Sequence, residues 1–172
     1  MTHVVLVGMM GTGKTTVGKI VAGRLGRPFS DSDDVIEART GRTVKQISHE
    51  EGVAAYRVHE TQVLLDALAS NLPSVIAAAG GVVLSAANRT ALRAADATVV
   101  WLKADPLLLV DRVTSAGHRP LLDDDPAGTL QRMFREREYL YRYVADAIVD
   151  IDGRDVTQVV DAVLEAIGAS EA

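Results

Sequence analysis

The stretch Val4-Val5-Leu6-Val7-Gly8-Met9-Met10-Gly11-Thr12-Gly13-Lys14-Thr15 is an apolar run that empties into G-x-x-x-x-G-K-T, followed by Thr16. Val17, Ile20, Val21 and Leu25 then recur at helical spacing, so the glycine-rich segment lies between a buried strand and a helix. That is the context a phosphate-binding loop requires. Glycines let the backbone curl with its N–H groups pointing inward, and the following helix adds the positive end of its dipole. Lys14 is placed to reach the β- and γ-phosphates of a nucleotide, and the Thr15 hydroxyl to bind Mg2+. A plain glycine turn is the alternative, and it leaves the Lys-Thr pair unexplained.

Outward from the loop, the chain of 172 residues is long enough for one α/β domain with a real core. Hydrophobic residues make up 48% and aromatics only 4%, which suits the aliphatic interior of a parallel sheet. The net charge of −5 argues against a general nucleic-acid binder. Arg outnumbers Lys by 14 to 4, and Arg is the better fork for carboxylate and phosphate. There is no Cys, hence no disulfide framework and no thiolate metal site, in keeping with a reducing compartment. The apolar run Val75 to Leu84 is broken by two glycines and too short to cross a bilayer. The first residues carry no charged leader pattern, so a soluble cytoplasmic protein without a membrane role is expected.

Five strands are expected: at Val4–Val7, around Pro28 to Ser30, at Ser74–Ala79, at Ala97–Leu102 and at Ala147–Ile151. Between them helical patterns run to a stop at Gly26, through Val35-Ile36, from about Glu50 to Ala69, from Asp105-Pro106 to about Thr114, and from Asp125-Pro126 to about Tyr143. Asp155 is expected to cap a last helix whose apolar face carries Val156, Val159, Val160, Val163, Leu164 and Ile167. Strands alternating with helices imply a three-layer α/β/α fold around a five-stranded parallel sheet, of the P-loop NTPase, nucleoside-monophosphate-kinase-like class. Ligands then bind beyond the carboxyl ends of the strands, where the loop, Asp31/Asp33 and Gly80-Gly81 all fall.

Asp31 and Asp33 end the second strand two residues apart, so their side chains start on one face if the strand continues. Phosphoryl transfer needs one carboxylate near Mg2+ and one to orient or deprotonate the attacking hydroxyl. The competing explanation is an acidic turn capping the helix at Val35, which fits Asp34 well. Arg57 lies inside the long helix, and Arg137 sits among Arg132, Arg135 and Arg142 with Glu136 and Glu138 nearby. Spacing alone leaves both as functional groups or as ordinary exposed cations. Arg119 stands in the polar connection from Ala116 to Pro126, which suits a lid closing over phosphates. His3, His49, His59 and His118 make no metal-ligand spacing.

Taken in order, Gly8 to Thr16, Asp31-Ser32-Asp33, Thr40-Gly41-Arg42, Arg57 with Glu60, Gly80-Gly81, Arg119-Pro120-Leu121-Leu122, and Arg137 with Leu140-Tyr141 resemble the shikimate kinase family over nearly the whole chain. The resemblance implies a single kinase domain over 1–172, with a substrate-binding helical region at about 34–70 and a lid at about 116–126. It implies that Gly11, Thr12, Gly13, Lys14, Thr15 and Thr16 hold the ATP phosphates. Thr15 and Asp31 would serve Mg2+, the latter through water. Asp33 would take the shikimate hydroxyls including the acceptor, and Arg57 and Arg137 its carboxylate. Gly80 and Gly81 would meet the substrate through backbone N–H groups, and Arg119 would come onto the phosphates. Lys14, Asp33 and Arg119 would then carry the catalysis, with Arg112 and Arg154 on the adenine side. A monomer acting on ATP and shikimate is implied by the same resemblance. Two positions depart from it: Ala79 stands where the family has a third glycine, and Tyr139 where many members have proline. Ala79 motivates a second reading, a related kinase for another polyol or cyclitol acid, of the gluconate type. A nucleotide-binding protein without turnover is a third, from a different class.

Overall fold

The computed structural model describes residues 2–115 and 124–171. Five parallel strands form one sheet: β1 (His3–Val7), β2 (Phe29–Asp31), β3 (Val75–Ala77), β4 (Ala97–Lys103) and β5 (Ala147–Asp150), in the order β2-β3-β1-β4-β5. β1 is central and every residue of it is buried, as its unbroken apolar sequence requires of a strand covered on both faces. Parallel strands need crossovers, and helices supply them: α1 (Lys14–Leu25), α2 (Ser32–Thr40), α3 (Val44–Glu50), α4 (Val53–Leu68), α5 (Ala86–Ala94), α6 (Val110–Ser115), α7 (Pro126–Val144) and α8 (Val156–Glu171). Helices α1 and α8 pack together over one side of the sheet, and α4, α5 and α7 make the layer on the other.

The register sets up the site. Leu6 pairs with Ala77, and Ala77 with Asp31, so three neighbouring strands end in one row. Three connecting segments therefore emerge side by side: the glycine-rich loop from β1, Ala78 to Gly81 from β3, and the start of α2 from β2. Strand order, which no local pattern encodes, makes these three segments neighbours.

The caps agree with the residues. Asp31, Thr43, Ser85 and Asp125 accept hydrogen bonds from the first turns of α2, α3, α5 and α7. Asp155 and Gln158 do the same reciprocally for α8. Helix α1 begins instead at Gly13, with no capping side chain, so its first N–H groups stay at the disposal of a ligand.

Several expectations change. Within the span from Glu50 to Ala69 the helix is α4 (Val53–Leu68), beginning after Gly52 turns the chain at φ 90°, while Glu50 ends the preceding helix. The separate helix α3 precedes it, held by a capping box of Thr43 and Gln46. A turn of 3₁₀ helix (Val82–Leu84) and α5 come directly after Gly80-Gly81, where no helix was expected. The helix expected from Asp105 opens as 3₁₀ (Pro106–Leu109) before α6. Val156 belongs to the apolar series by spacing but is exposed, because it stands in the first turn of α8 beyond the sheet.

The main core is aliphatic, with Trp101 of β4 and Tyr141 of α7 stacked at 5.6 Å between centroids. A second small core of Ile36, Ile47 and Val63, with Val35, Val44 and Tyr56 against it, ties α2, α3 and α4 to one another. No helix among the described residues is long and apolar enough to cross a membrane.

Candidate active site

The glycine-rich loop leaves β1 at Gly8 and enters α1 at Lys14. Gly8, Gly11 and Gly13 adopt φ of 146°, 83° and 85°, a region side chains rarely tolerate. The Lys14 ammonium donates to the carbonyls of Gly8 and Met9 at 2.9 Å each, so it lies across the mouth of the loop. Thr12 is buried and its hydroxyl donates to Met9 O at 2.9 Å, which leaves only its backbone to serve a phosphate. Thr15 and Thr16 are exposed on the first turn of α1. Beside the loop, Arg112 donates to Gly11 O at 3.3 Å. Arg112, Arg154, Gly11, Thr16 and Val156 line a cavity of about 210 Å³, so the two expected adenine-side arginines are brought to one place.

The Thr15 hydroxyl donates to Asp31 Oδ2 at 2.6 Å. Two hard oxygens set together suit a divalent cation that takes oxygen ligands. Among the described residues no group of three or more His, Cys, Asp or Glu forms a cage for a metal. Asp31 is also the N-cap of α2, its Oδ1 accepting from the Asp33 N–H at 2.9 Å. The idea that Asp31 and Asp33 share a strand face is thereby corrected. The strand stops at Asp31, and Asp33 lies in the first turn of α2, so helical rather than pleated geometry aims it. Asp34 is exposed in the same turn, as a purely local role predicts.

Asp33 Oδ1 accepts a hydrogen bond from the Tyr56 hydroxyl at 2.9 Å. Next along α4, Arg57 donates to Glu60 at 2.5 Å, an i,i+3 pair whose carboxylate is 2% exposed. Burial pushes the Glu60 carboxyl up from its ordinary value, against the pull of the Arg57 guanidinium. Arg137 is itself buried at 6% exposure, while Arg132, Arg135 and Arg142 of the same helix face solvent. Its Nε and the Glu60 Oε1 have no hydrogen-bond partner among the described residues.

The point where these groups converge is Tyr141. Its hydroxyl donates to Gly80 O at 2.5 Å, and the charges of Arg137, Arg57 and Glu60 all act on it. Burial pushes this hydroxyl up to about 12, against the pull of Arg137. Gly80 and Gly81 are placed by space rather than by backbone angle. A Cβ at Gly81 would overlap the Arg57 guanidinium, and one at Gly80 would come to 3.3 Å from Gly8 O. Ala79 carries no backbone strain, because no described non-glycine residue has a positive φ. Tyr139 is 66% exposed on α7 and turned away from these groups.

Arg119 and residues 116–123 of the expected lid lie outside the described residues. Sequence reasoning gives no role to Tyr56 and none of their own to Glu60 and Tyr141. A signal exists for the last two: Glu60 lies three residues after Arg57 and Tyr141 four after Arg137, spacings that put each pair on one helix face. Nothing local points to the contact of Tyr56 with Asp33.

The family model described as shikimate kinase matches residues 10–168. The shikimate kinase of Symbiobacterium thermophilum is 42% identical over 168 residues, covering 96% of this chain and 95% of that one. The structure of shikimate kinase from Acinetobacter baumannii in complex with shikimate superposes with a TM-score of 0.92 at 34% identity, over 99% of this chain and 94% of that one. A gluconokinase from Sinorhizobium meliloti reaches a TM-score of 0.67 at 19% identity over 98% of this chain and 92% of that one, a likeness of fold alone.

Proposed function

Because the chain belongs to the shikimate kinase family, we propose a division of labour among its residues for the ATP-dependent phosphorylation of shikimate to shikimate 3-phosphate, the reaction it performs in aromatic amino-acid biosynthesis. The observation that carries the assignment is the polarity of the acceptor side. Around Tyr141, two guanidinium groups face one buried carboxylate, whereas the end nearer the loop presents Asp33. Buried charge is tolerated when it is matched, so an excess of cation there calls for an anionic ligand. A ring acid with its carboxylate on Arg57 and Arg137 turns its hydroxyls toward Asp33.

The glycine loop, the first turn of α1 and Lys14 cradle the ATP phosphates, and Thr16, Arg112 and Arg154 border the nucleotide. Mg2+ bound by Thr15, with Asp31 behind it, would neutralise charge on the transferring phosphoryl group. Asp33 orients the acceptor hydroxyl and takes its proton as that oxygen attacks the γ-phosphorus in line, the bond from that phosphorus to the β,γ-bridging oxygen breaking to release ADP. Lys14 tracks the developing negative charge, and Arg119, from the segment 116–126, completes the clamp over the phosphates. Gly80 and Gly81 bring backbone against the substrate. The helical region at 34–70 serves as the acceptor-holding part of one catalytic domain. Both halves of the site come from a single chain, so a monomer holds all the groups the reaction needs, and a cytoplasmic setting rests on family membership alone.

A coupled assay of ADP release with shikimate, with gluconate and without acceptor tests the reading. Turnover is expected with shikimate only. Turnover with gluconate at comparable kcat/KM would move the acceptor to the gluconate-type alternative, and release that ignores the acceptor would leave a nucleotide-binding protein.

A further inference from the structure

We propose that Tyr56 aligns both ends of the acceptor at once, its hydroxyl positioning the Asp33 carboxylate and its ring seating the Arg57 guanidinium. The hydroxyl, on α4, donates to Asp33 Oδ1, on α2, at 2.9 Å, so the bond ties the two helices together at the carboxylate itself. The Arg57 guanidinium carbon lies 5.5 Å from the centroid of the Tyr56 ring, within cation–π range. The ring is anchored from below, packed against the small core of Ile36, Ile47 and Val63. One rigid side chain with two torsions therefore fixes a carboxylate on one side and a cation on the other.

The hydroxyl stays a donor throughout the working pH range. Burial, first of all, and then the negative fields of Glu60 and Asp33 hold its proton far above the ordinary tyrosine range. This permanent donor faces the carboxylates of both Glu60 and Asp33, and its 2.9 Å bond to Oδ1 holds one oxygen of Asp33. The contacts form a chain: Thr15 to Asp31, Asp31 to the Asp33 backbone, Asp33 to Tyr56, Tyr56 to Arg57, and Arg57 to Glu60. Tyr56 is the link that joins the metal and phosphate side to the carboxylate clamp. It is a positioning residue, since it acts through Asp33 and Arg57, and the inference rests on the roles given to them above.

The two halves of the side chain can be removed separately. Tyr56→Phe keeps the ring and deletes the hydroxyl; Tyr56→Leu deletes both. For Tyr56→Phe, kcat is expected to fall about three- to tenfold, as for a lost hydrogen bond to a partly exposed carboxylate, with KM for shikimate and for ATP within about twofold. For Tyr56→Leu, the same fall in kcat is expected together with a rise of about tenfold in KM for shikimate. Adding Tyr56→Phe to Asp33→Asn is expected to cost nothing further in kcat, because the hydroxyl then has no carboxylate to position. Wild-type kcat in Tyr56→Phe, full additivity with Asp33→Asn, or equal KM for shikimate in the Phe and Leu variants overturns the proposal. So does a joint fall in kcat, ATP affinity and Tm in Tyr56→Phe, which marks a packing role. If Asp33→Asn alone keeps wild-type kcat, the role of Asp33 fails first and takes this inference with it. If Asp33→Asn is severely slowed and Tyr56→Phe is not, the inference alone fails.

Discussion

Two glycine turns stand side by side at the carboxyl edge of the sheet, and only the first needs glycine for its backbone angles. In the phosphate loop, Gly8, Gly11 and Gly13 hold positive φ, so the backbone curl itself excludes other residues. After β3, Gly81 has φ −89° and ψ 0°, angles open to any residue, and Gly80 is likewise outside the positive-φ set. There the excluded thing is a Cβ: the Arg57 guanidinium occupies its place at Gly81, and the Gly8 carbonyl crowds it at Gly80. The first turn demands glycine through its backbone angles, and at Gly8 and Gly11 a Cβ would also meet Leu102 O at 2.6 Å and Val113 Cγ1 at 3.0 Å. The second is a mould for groups that arrive from other parts of the chain. The phosphate cradle is thus built from contiguous backbone, with Asp31, Arg112 and Arg154 brought to it from elsewhere, and the acceptor half from dispersed side chains alone.

The largest effect that can break this division belongs to Lys14→Ala. Removing the charge proposed to track the transferring phosphoryl group is expected to lower kcat by about a thousandfold, with Tm near that of the parent. Near-normal turnover in a folded Lys14→Ala protein would take the phosphate loop out of the chemistry.

On the other half, Arg57→Lys and Arg137→Lys keep charge and lose the planar fork. Each is expected to raise KM for shikimate by at least about tenfold, roughly 1.4 kcal/mol, with KM for ATP unchanged. The double variant is expected to lose less than the two singles together if, as proposed, both grip one carboxylate. Silence at both positions would detach the buried Arg137 from substrate binding.

The two neighbouring glycines sharpen the comparison further. Gly81→Ala makes the flexible end of Arg57 swing aside, with an expected rise of about three- to tenfold in KM for shikimate and none for ATP. Gly80→Ala presses on the loop backbone, and a rise of about two- to threefold in KM for ATP is expected. The same shift in both constants for both variants would show that the halves are not separate.

Ala79→Gly is expected to do least. The methyl sits on ordinary backbone, so glycine there loses about 0.5–1 kcal/mol through the unfolded state, seen as a lower Tm, with both KM values unchanged. A marked change in acceptor preference would instead make Ala79 part of the substrate floor.

Much of the architecture is legible because its signals are local. The five strands, the stop at Gly26 and the caps at Asp105, Asp125 and Asp155 come from apolar runs and capping residues within a few positions. Helix α3 escapes notice because seven residues are too few to show a period, although Thr43 and Gln46 carry the capping-box spacing. The Asp31/Asp33 geometry is misleading in the sequence because a strand and a helix meet between them, and only the hydrogen bond from Asp33 to Asp31 fixes the junction. Among fourteen arginines, neither composition nor spacing picks Arg137 from Arg132, Arg135 and Arg142. The family resemblance picks it, and burial against Tyr141 is the physical distinction.

By itself the sequence determined the phosphate loop, the alternation of strands and helices, and hence a parallel sheet with its ligand edge at the carboxyl ends. Each of these depends on backbone angles and periodicities that residues impose on their immediate neighbours. Tertiary structure alone decided the strand order β2-β3-β1-β4-β5 that sets Gly80 against Gly8. It also decided which cations are buried, and the meeting of Tyr56 with Asp33 and of Arg57 with Gly81. These contacts join residues from separate crossovers, and their energy depends on burial and on partners that exist only once the sheet and its two helical layers have closed.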